Sequence, residues 1–303
     1  MTRGILTLAC GSRRYLRMAE ALLRSIRLRD AGIPVALATD QPGMEPGRRG
    51  FDSVIAVDPA LGQGVEQKLH LDRYTPFDET LFIDSDCLVF SPPDALFEAY
   101  SAANGFGVIA YGELGPDDSH ISIRDLPHFL NAAGIDRLPA FNGGIYFFDR
   151  SDRSREVFQG ARELFARRDE LGLERFKNAG AADEPIFAAA MRRAGVLPLP
   201  WDGAAAMGTA LDCFDEMGEI DVMAGLSSFT KLGYRISPAV IHFNMNAQRS
   251  RIYRRECWRL KLGAGFPLAG PASCVLSALT AGWDRALGML RRRLGALVRK
   301  GRT

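Results

Sequence analysis

Two carboxylates sit two residues apart at the end of an apolar run, in Leu81-Phe-Ile-Asp-Ser-Asp-Cys-Leu-Val-Phe90. In an extended chain that spacing turns Asp84 and Asp86 to one side, with Ser85 between them. Two like charges leaving an apolar strand call for a cation. Oxygen ligands suit a hard divalent ion, Mn2+ or Mg2+, that can bridge to phosphate oxygens. Asp-x-Asp alone recurs by chance, and a strand end with two solvated acids also satisfies it. Three other segments carry polar chemistry. Phe141-Asn-Gly-Gly-Ile-Tyr-Phe-Phe148 offers Asn142 as donor and acceptor. Its glycines, Gly143 and Gly144, either admit a ligand close to the backbone or simply turn the chain into a strand. Ala182-Asp-Glu-Pro-Ile-Phe187 opens a helix on Asp183 and Glu184, where acids commonly serve as caps. Val240-Ile-His-Phe243 holds a lone His242. Most such histidines are merely packed, but neutral imidazole also ligates Mn2+ beside carboxylates.

The elements that must position these groups read as α/β. Gly4 to Ala9 is a buried first strand closed by Gly11 and Ser12, and Tyr15 to Asp30 has apolar residues at helical spacing. Strands follow at Val35 to Thr39 and Ser53 to Val57, a short helix at Glu66 to Arg73, and a strand at Thr80 to Asp84. This alternation predicts an α/β sandwich with a mostly parallel sheet. Ligands bind outside the carboxyl ends of such strands, so Ala9 to Tyr15, Thr39-Asp40 and Asp84 to Asp86 should converge. Further on, Val108 to Tyr111, Gly144 to Phe148 and Val240 to Phe243 read as strands, and Arg153 to Arg168 and Asp183 to Arg193 as helices.

Composition narrows the class. The 303 residues are 47% hydrophobic and 24% charged, which excludes disorder, collagen and a disulfide scaffold. Five cysteines without Cys-x-x-Cys spacing read as thiols in a reducing compartment, and the first 20 residues lack a signal-peptide pattern. The expectation is a cytoplasmic protein. Its net charge of +2 conceals a split: residues 249–303 carry 13 basic and two acidic residues, and residues 1–248 carry 25 and 34. The chain therefore divides into a domain over 1–248 and a basic, helical extension over 249–303. Leu276, Leu279, Trp283, Leu287, Leu290, Leu294 and Leu297 form an apolar stripe, flanked by Arg285, Arg291, Arg292, Arg293 and Arg299. Such a helix either lies on an anionic membrane surface at the inner face of the cell membrane or docks on the domain. No nucleic-acid motif accompanies the charge, and nucleic acid is not an expected partner.

Taken in order, the four segments resemble glycosyltransferase family 8, the retaining sugar-nucleotide-dependent family that includes glycogenin and bacterial lipooligosaccharide galactosyltransferases. Lys68-Leu-His-Leu-Asp-Arg leading into Leu-Phe-Ile-Asp-Ser-Asp resembles the glycogenin branch, and the likeness covers about Ile5 to Phe243. The resemblance implies a hexosyltransferase and a single α/β domain of GT-A fold, Rossmann-like with a mixed, mostly parallel central sheet, followed by the C-terminal amphipathic helical tail. Its donor would be a nucleotide-diphosphate sugar, in kind a UDP-sugar, and its acceptor a saccharide or glycolipid. It implies that Asp84, Asp86 and His242 hold Mn2+ against the diphosphate, and that Lys68 approaches the donor. Tyr15 matches an aromatic near the base, beside the strand-end loop Cys10, Gly11 and Ser12. Asn142 and Gly143 would face the sugar or acceptor. Asp183 matches the acid beside the reacting sugar, and Glu184 stands where the family often has Gln. After His-Phe the family shows Gly and then Lys-Pro-Trp; this chain has Asn244-Met-Asn-Ala-Gln248, so Arg249 or Arg251 would supply that charge.

Two rivals stand beside this reading. An apolar strand ending in Asp-x-Asp also resembles the nucleophile of haloacid-dehalogenase-type phosphatases. Their motif lies on the first strand, whereas three strands precede it here, and Lys177 with Asp183-Glu184 imitates their later residues poorly. The other rival is a sugar-nucleotide-binding protein that has lost turnover.

Overall fold

The first strand is buried along nearly its whole length, the pattern of a central parallel strand covered on both faces. A computed structural model describes residues 1–41, 43, 47, 50–176, 180–201, 207–209, 218–231, 234–244, 248–263, 272 and 274–280. The chain opens with β1 (Arg3–Ala9), α1 (Arg13–Arg29), β2 (Val35–Thr39) and β3 (Ser53–Ala56). A 3-10 segment, Gly64–His70, then runs into the single turn α2 (Leu71–Tyr74), in place of the one helix expected there. Next come β4 (Glu79–Ile83), β5 (Cys87–Val89), α3 (Pro93–Ala99), β6 (Phe106–Gly107) and β7 (Ile109–Leu114). They are followed by α4 (Leu126–Ala133), β8 (Leu138–Phe141), β9 (Ile145–Asp149) and α5 (Asp152–Ala166). β10 (Arg175–Phe176) and β11 (Gly180–Ala181) lead to α6 (Glu184–Arg193). The last strands are β12 (Leu199–Pro200), β13 (Met207–Thr209), β14 (Glu219–Asp221), β15 (Leu226–Lys231), β16 (Tyr234–Ile236) and β17 (Val240–His242). Helix α7 (Arg251–Leu262) follows them.

Six strands form the central sheet in the order β3-β2-β1-β4-β9-β6. The first four are mutually parallel, and β9 runs antiparallel to both β4 and β6. The sheet is mostly parallel, as the alternation of elements predicts, and mixed, as the GT-A resemblance implies. Helix α1 buries Leu16, Ala19, Leu22, Leu23 and Ile26 against a core that includes Ile5, Leu37, Ile83 and Ile145. The other core is rich in aromatics, among them Phe82, Phe106, Tyr146, Phe158 and Phe187. Tyr146 and Phe187 lie 4.9 Å apart between ring centroids, tying β9 to α6.

Two small sheets carry the later segments to the same edge. β17 pairs antiparallel with β5 and sets His242 opposite Cys87. β7 pairs with β8 and carries a bulge between Ala110 and Gly112, which leaves Tyr111 60% exposed.

The start of the basic extension faces the protein. Helix α7 buries Tyr253, Glu256 and Leu260, and the Tyr253 ring lies 4.9 Å from that of Phe243. Glu256 accepts the Val222 N–H at 2.8 Å and pairs with Arg255 and Arg259, so part of the positive charge is already neutralised. Residues 274–280 are helical, and the Ser277 hydroxyl donates to the Arg251 carbonyl at 3.2 Å. Of the expected apolar stripe, Leu276 and Leu279 are described; Leu279 is exposed. Trp283, Leu287, Leu290, Leu294, Leu297 and the arginines beside them lie outside the described residues, as does Lys177. Among the described residues no helix is long and apolar enough to cross a membrane.

Candidate active site

The Asp-Ser-Asp segment is a tight turn between β4 and β5, not the extended chain that residue spacing suggests. The Asp84 N–H donates to the Gly144 carbonyl at 2.9 Å, and the Cys87 N–H reaches back to the Asp84 carbonyl at 3.0 Å. One hydrogen bond fastens the turn to the Asn-Gly-Gly segment, and the other closes it. Ser85 is buried between the two acids. From the other side, Phe243 N–H donates to the Asp86 carbonyl at 3.0 Å and seats His242 over the turn.

His242 Nε2 lies 3.1 Å from Asp86 Oδ1 and 3.7 Å from Asp84 Oδ2. Its Nδ1 lies 2.6 Å from Asn142 Oδ1, which also accepts the Gly144 N–H at 3.1 Å. An amide oxygen can only accept, so Nδ1 carries a proton and Nε2 is aimed at the carboxylates. This is the outer-sphere arrangement that orients a metal-ligating histidine. Burial works against the imidazolium, but Asp86, by charge and hydrogen bond, outweighs it and raises the His242 pKa. Burial works against the Asp86 carboxylate as well, yet His242 and Gln248 hold its pKa below the usual range. For Asp84 burial prevails over Lys68 and His242, and the pKa rises.

The ligand atoms of Asp86, Cys87 and His242 all lie within 4.8 Å of one another. Cys87 suits the site least. Burial first, then the charges of Asp86 and Asp84, push its thiol pKa far up, and the neutral S–H points at the Gly144 carbonyl 3.8 Å away. Two carboxylates and one imidazole match a hard divalent cation, so the residues fit Mn2+ or Mg2+ through Asp84, Asp86 and His242.

Lys68 enters from the 3-10 segment and is buried. Its Nζ lies 2.7 Å from Asp84 Oδ2, 3.1 Å from the Gly143 carbonyl and 3.2 Å from Asp183 Oδ2. Burial disfavours the ammonium, but Asp183 and Asp84 overturn that and hold its pKa above the ordinary lysine range. The ring centroids of Phe82 and Tyr146, 5.5 and 5.8 Å away, present their faces to the same cation.

Asp183 stands at the N-cap position of α6 but makes no capping hydrogen bond with its side chain. Its Oδ2 instead accepts from the Tyr146 hydroxyl at 2.6 Å and faces Lys68. The reading of Asp183 as an ordinary cap is therefore set aside. Glu184 accepts the Gly143 N–H at 2.6 Å, and burial followed by the Asp183 charge raises its pKa. The two glycines are required by packing. A Cβ on Gly143 would come within 2.6 Å of the Tyr146 hydroxyl, and one on Gly144 within 2.6 Å of His242 Nδ1. The close approach is to the protein's own site.

On the neighbouring strand ends the Gly11 N–H donates to Asp40 Oδ2 at 2.7 Å, joining the β1 and β2 loops. Ser12 caps α1 by accepting the Arg14 N–H, and Tyr15 is 40% exposed beside it. Burial, then the Asp40 charge, pushes the Cys10 thiol up to about 12. Thus Lys68, Asp84, Asp86, Asn142, Gly143, Asp183, Glu184 and His242 form one bonded cluster, flanked by Cys10, Gly11, Ser12, Tyr15 and Asp40. Arg249 is exposed. Sequence reasoning missed Tyr146, Gln248 and Arg14. Only Tyr146 carried a signal, as a hydroxyl in the strand after Asn-Gly-Gly. The Gln248 side chain joins Arg14, 234 residues before it, to Asp86, 162 residues before it.

No protein-family pattern and no curated protein sequence matches this chain. Among solved structures it is similar to the galactosyltransferase LgtC in complex with donor and acceptor sugar analogs. That match has a TM-score of 0.51 at 14% identity, over 92% of this chain and 95% of that one. The apo form of mouse xyloside xylosyltransferase 1 superposes with a TM-score of 0.48 at 15% identity, over 82% and 99%. The chain has the GT-A glycosyltransferase fold.

Proposed function

We propose that this protein is a metal-dependent retaining glycosyltransferase of the family 8 type, moving a hexose from a UDP-sugar or related donor to a saccharide or glycolipid acceptor. The observation that carries the reading is the oriented histidine. Asn142 fixes His242 so that Nε2 meets Asp86 and Asp84 at the carboxyl edge of a GT-A sheet. Asp84, Asp86 and His242 would hold the ion, which when bound supplies positive charge against the donor's diphosphate.

The remaining groups act on the sugar side. Asp183 is held by Tyr146 and Lys68, so its carboxylate presents a fixed negative charge where the anomeric centre becomes oxocarbenium-like. Glu184 is committed to the Gly143 N–H, which fixes the Asn-Gly-Gly segment beneath that centre. The acceptor hydroxyl attacks from the face the diphosphate leaves, as the family's retaining chemistry requires. Tyr111, on its bulge, is exposed at the start of the segment running to Pro139, where acceptor choice would reside.

The test is release of nucleoside diphosphate from a panel of sugar nucleotides with Mn2+, with and without saccharide acceptors. Turnover that requires the metal supports the reading. Saturable donor binding without turnover would reduce the protein to a sugar-nucleotide-binding module.

A further inference from the structure

If the site above takes a sugar nucleotide, the diphosphate needs a cation beyond the metal, and Lys68 cannot be that cation. An ammonium has three protons. Here they meet three acceptors already inside the protein: Asp84, Asp183 and the Gly143 carbonyl. Lys68 is fully spent on holding the cluster together. Around it stand four carboxyl groups, those of Asp84, Asp86, Asp183 and Glu184. A diphosphate approaching this edge meets a surplus of negative charge.

Among the described residues, one guanidinium is tied to this cluster through Gln248. Arg14 lies in the first turn of α1, just beyond the carboxyl end of β1. Its Nη2 donates to Gln248 Oε1 at 2.5 Å, and Gln248 Nε2 in turn donates to Asp86 Oδ2. Two hydrogen bonds through the Gln248 amide therefore link a permanent cation to Asp86. Among the described residues no carboxylate forms an ion pair with Arg14, whereas Arg27 and Arg29 of the same helix bond Asp52 and the Val222 and Met223 carbonyls. The Gln248 carbonyl oxygen occupies one of the five N–H groups of Arg14, and a planar fork is the geometry that grips phosphate oxygens. Arg249 and Arg251, to which the sequence would assign this charge, are both exposed.

We propose that Arg14, positioned by Gln248, grips the diphosphate of the donor and stabilises it as the leaving group. This inference rests on the sugar-nucleotide reading and names the residue that completes it. Gln248 is then a positioning residue: its amide aims the guanidinium at the space beside Asp86.

The full chain is titrated calorimetrically with Mn2+ alone, and then, in saturating Mn2+, with UDP, GDP, ADP and CDP. For the diphosphate that the wild type binds, Arg14→Gln weakens affinity about tenfold or more, the scale of one lost charge-assisted contact. Arg14→Lys, which keeps the charge and loses the fork, falls between the two. Gln248→Leu, which keeps Arg14 but removes its aim, loses less than Arg14→Gln. Mn2+ affinity without nucleotide and the melting temperature stay at wild-type values in Arg14→Gln. Unchanged diphosphate affinity in Arg14→Gln overturns the proposal, and so does an equal loss in the Mn2+ titration, which would make Arg14 a prop for Asp86. If the wild type binds none of the four diphosphates, the sugar-nucleotide reading itself fails, and that result is distinct from the other two.

Discussion

Replacing Lys68 by methionine keeps the apolar stem and removes only the cation, leaving Asp84 and Asp183 facing each other in a buried site. At the observed separations of 2.7 and 3.2 Å, an effective dielectric of roughly 20 gives attractions of about 6 and about 5 kcal/mol. Desolvation of all three charges cancels much of that. What truncation exposes is the penalty of stranding buried carboxylates, about 3–5 kcal/mol. For a chain of this size that lowers the midpoint by about 5–8 °C in a reversible thermal melt. The deficit must also depend on pH. A stranded Asp84, already raised by burial, is raised further without its cation. A carboxyl whose folded pKa exceeds its unfolded value penalises folding above that range and stops doing so once protonated. The deficit of Lys68→Met is thus largest near pH 8 and shrinks as pH falls toward 5. In the wild type the sign is opposite: the raised Lys68 pKa contributes stability at every pH below the ordinary lysine range, about 10.4. Adding Asp84→Asn to Lys68→Met restores part of the loss by removing one stranded charge. A Lys68→Met melt within about 1 °C of wild type at pH 8, or a deficit that grows on acidification, refutes the reasoning.

Other consequences can be checked with the same protein. Gly144→Ala drives a methyl into His242 Nδ1 and displaces Asn142, so Mn2+ affinity falls about 10–100-fold; Gly112→Ala, where a Cβ meets nothing within 4 Å, leaves it unchanged. Tyr146→Phe takes the hydroxyl from Asp183 and costs about 1–3 kcal/mol in a denaturant melt, with a drop in kcat exceeding any change in donor KM. Deletion of residues 272–303 releases the protein from anionic liposomes at low salt, if the apolar stripe and its arginines reach the membrane; retention by the truncated chain assigns binding elsewhere.

Much of the site was legible because most of its members stand at the end of a strand or the start of a helix and bring their own chemistry. Asp84, Asp86, Asn142, Asp183 and His242 are spelled out by the Asp-x-Asp, Asn-Gly-Gly, Asp-Glu and Ile-His-Phe segments, and the topology gathers them. The sheet was equally legible, since β1, β2 and β4 are continuous apolar runs flanked by turn residues. The bonds between members were not. Whether a carboxylate at a helix start caps the helix or receives a tyrosine depends on which strand lies above it. Asp183 turned out to serve Tyr146 and Lys68. Helix α1 begins two residues before Tyr15 because Ser12, not the apolar periodicity, sets its start. The Glu66 to Arg73 stretch winds first as 3-10, which aims Lys68 inward and is invisible to a count of apolar spacings. β14 and β16 are three-residue strands paired antiparallel with β15, with too few residues to show a period.

The central claim is that Asp84, Asp86 and His242 hold a divalent cation that serves transfer from a sugar nucleotide. Its most direct test follows nucleoside diphosphate release with Mn2+, comparing wild type with Asp86→Ala and His242→Ala. The account predicts metal-dependent release in the wild type that chelation abolishes and that both variants lose. Release that persists in either variant, or that proceeds equally well after chelation, would contradict it.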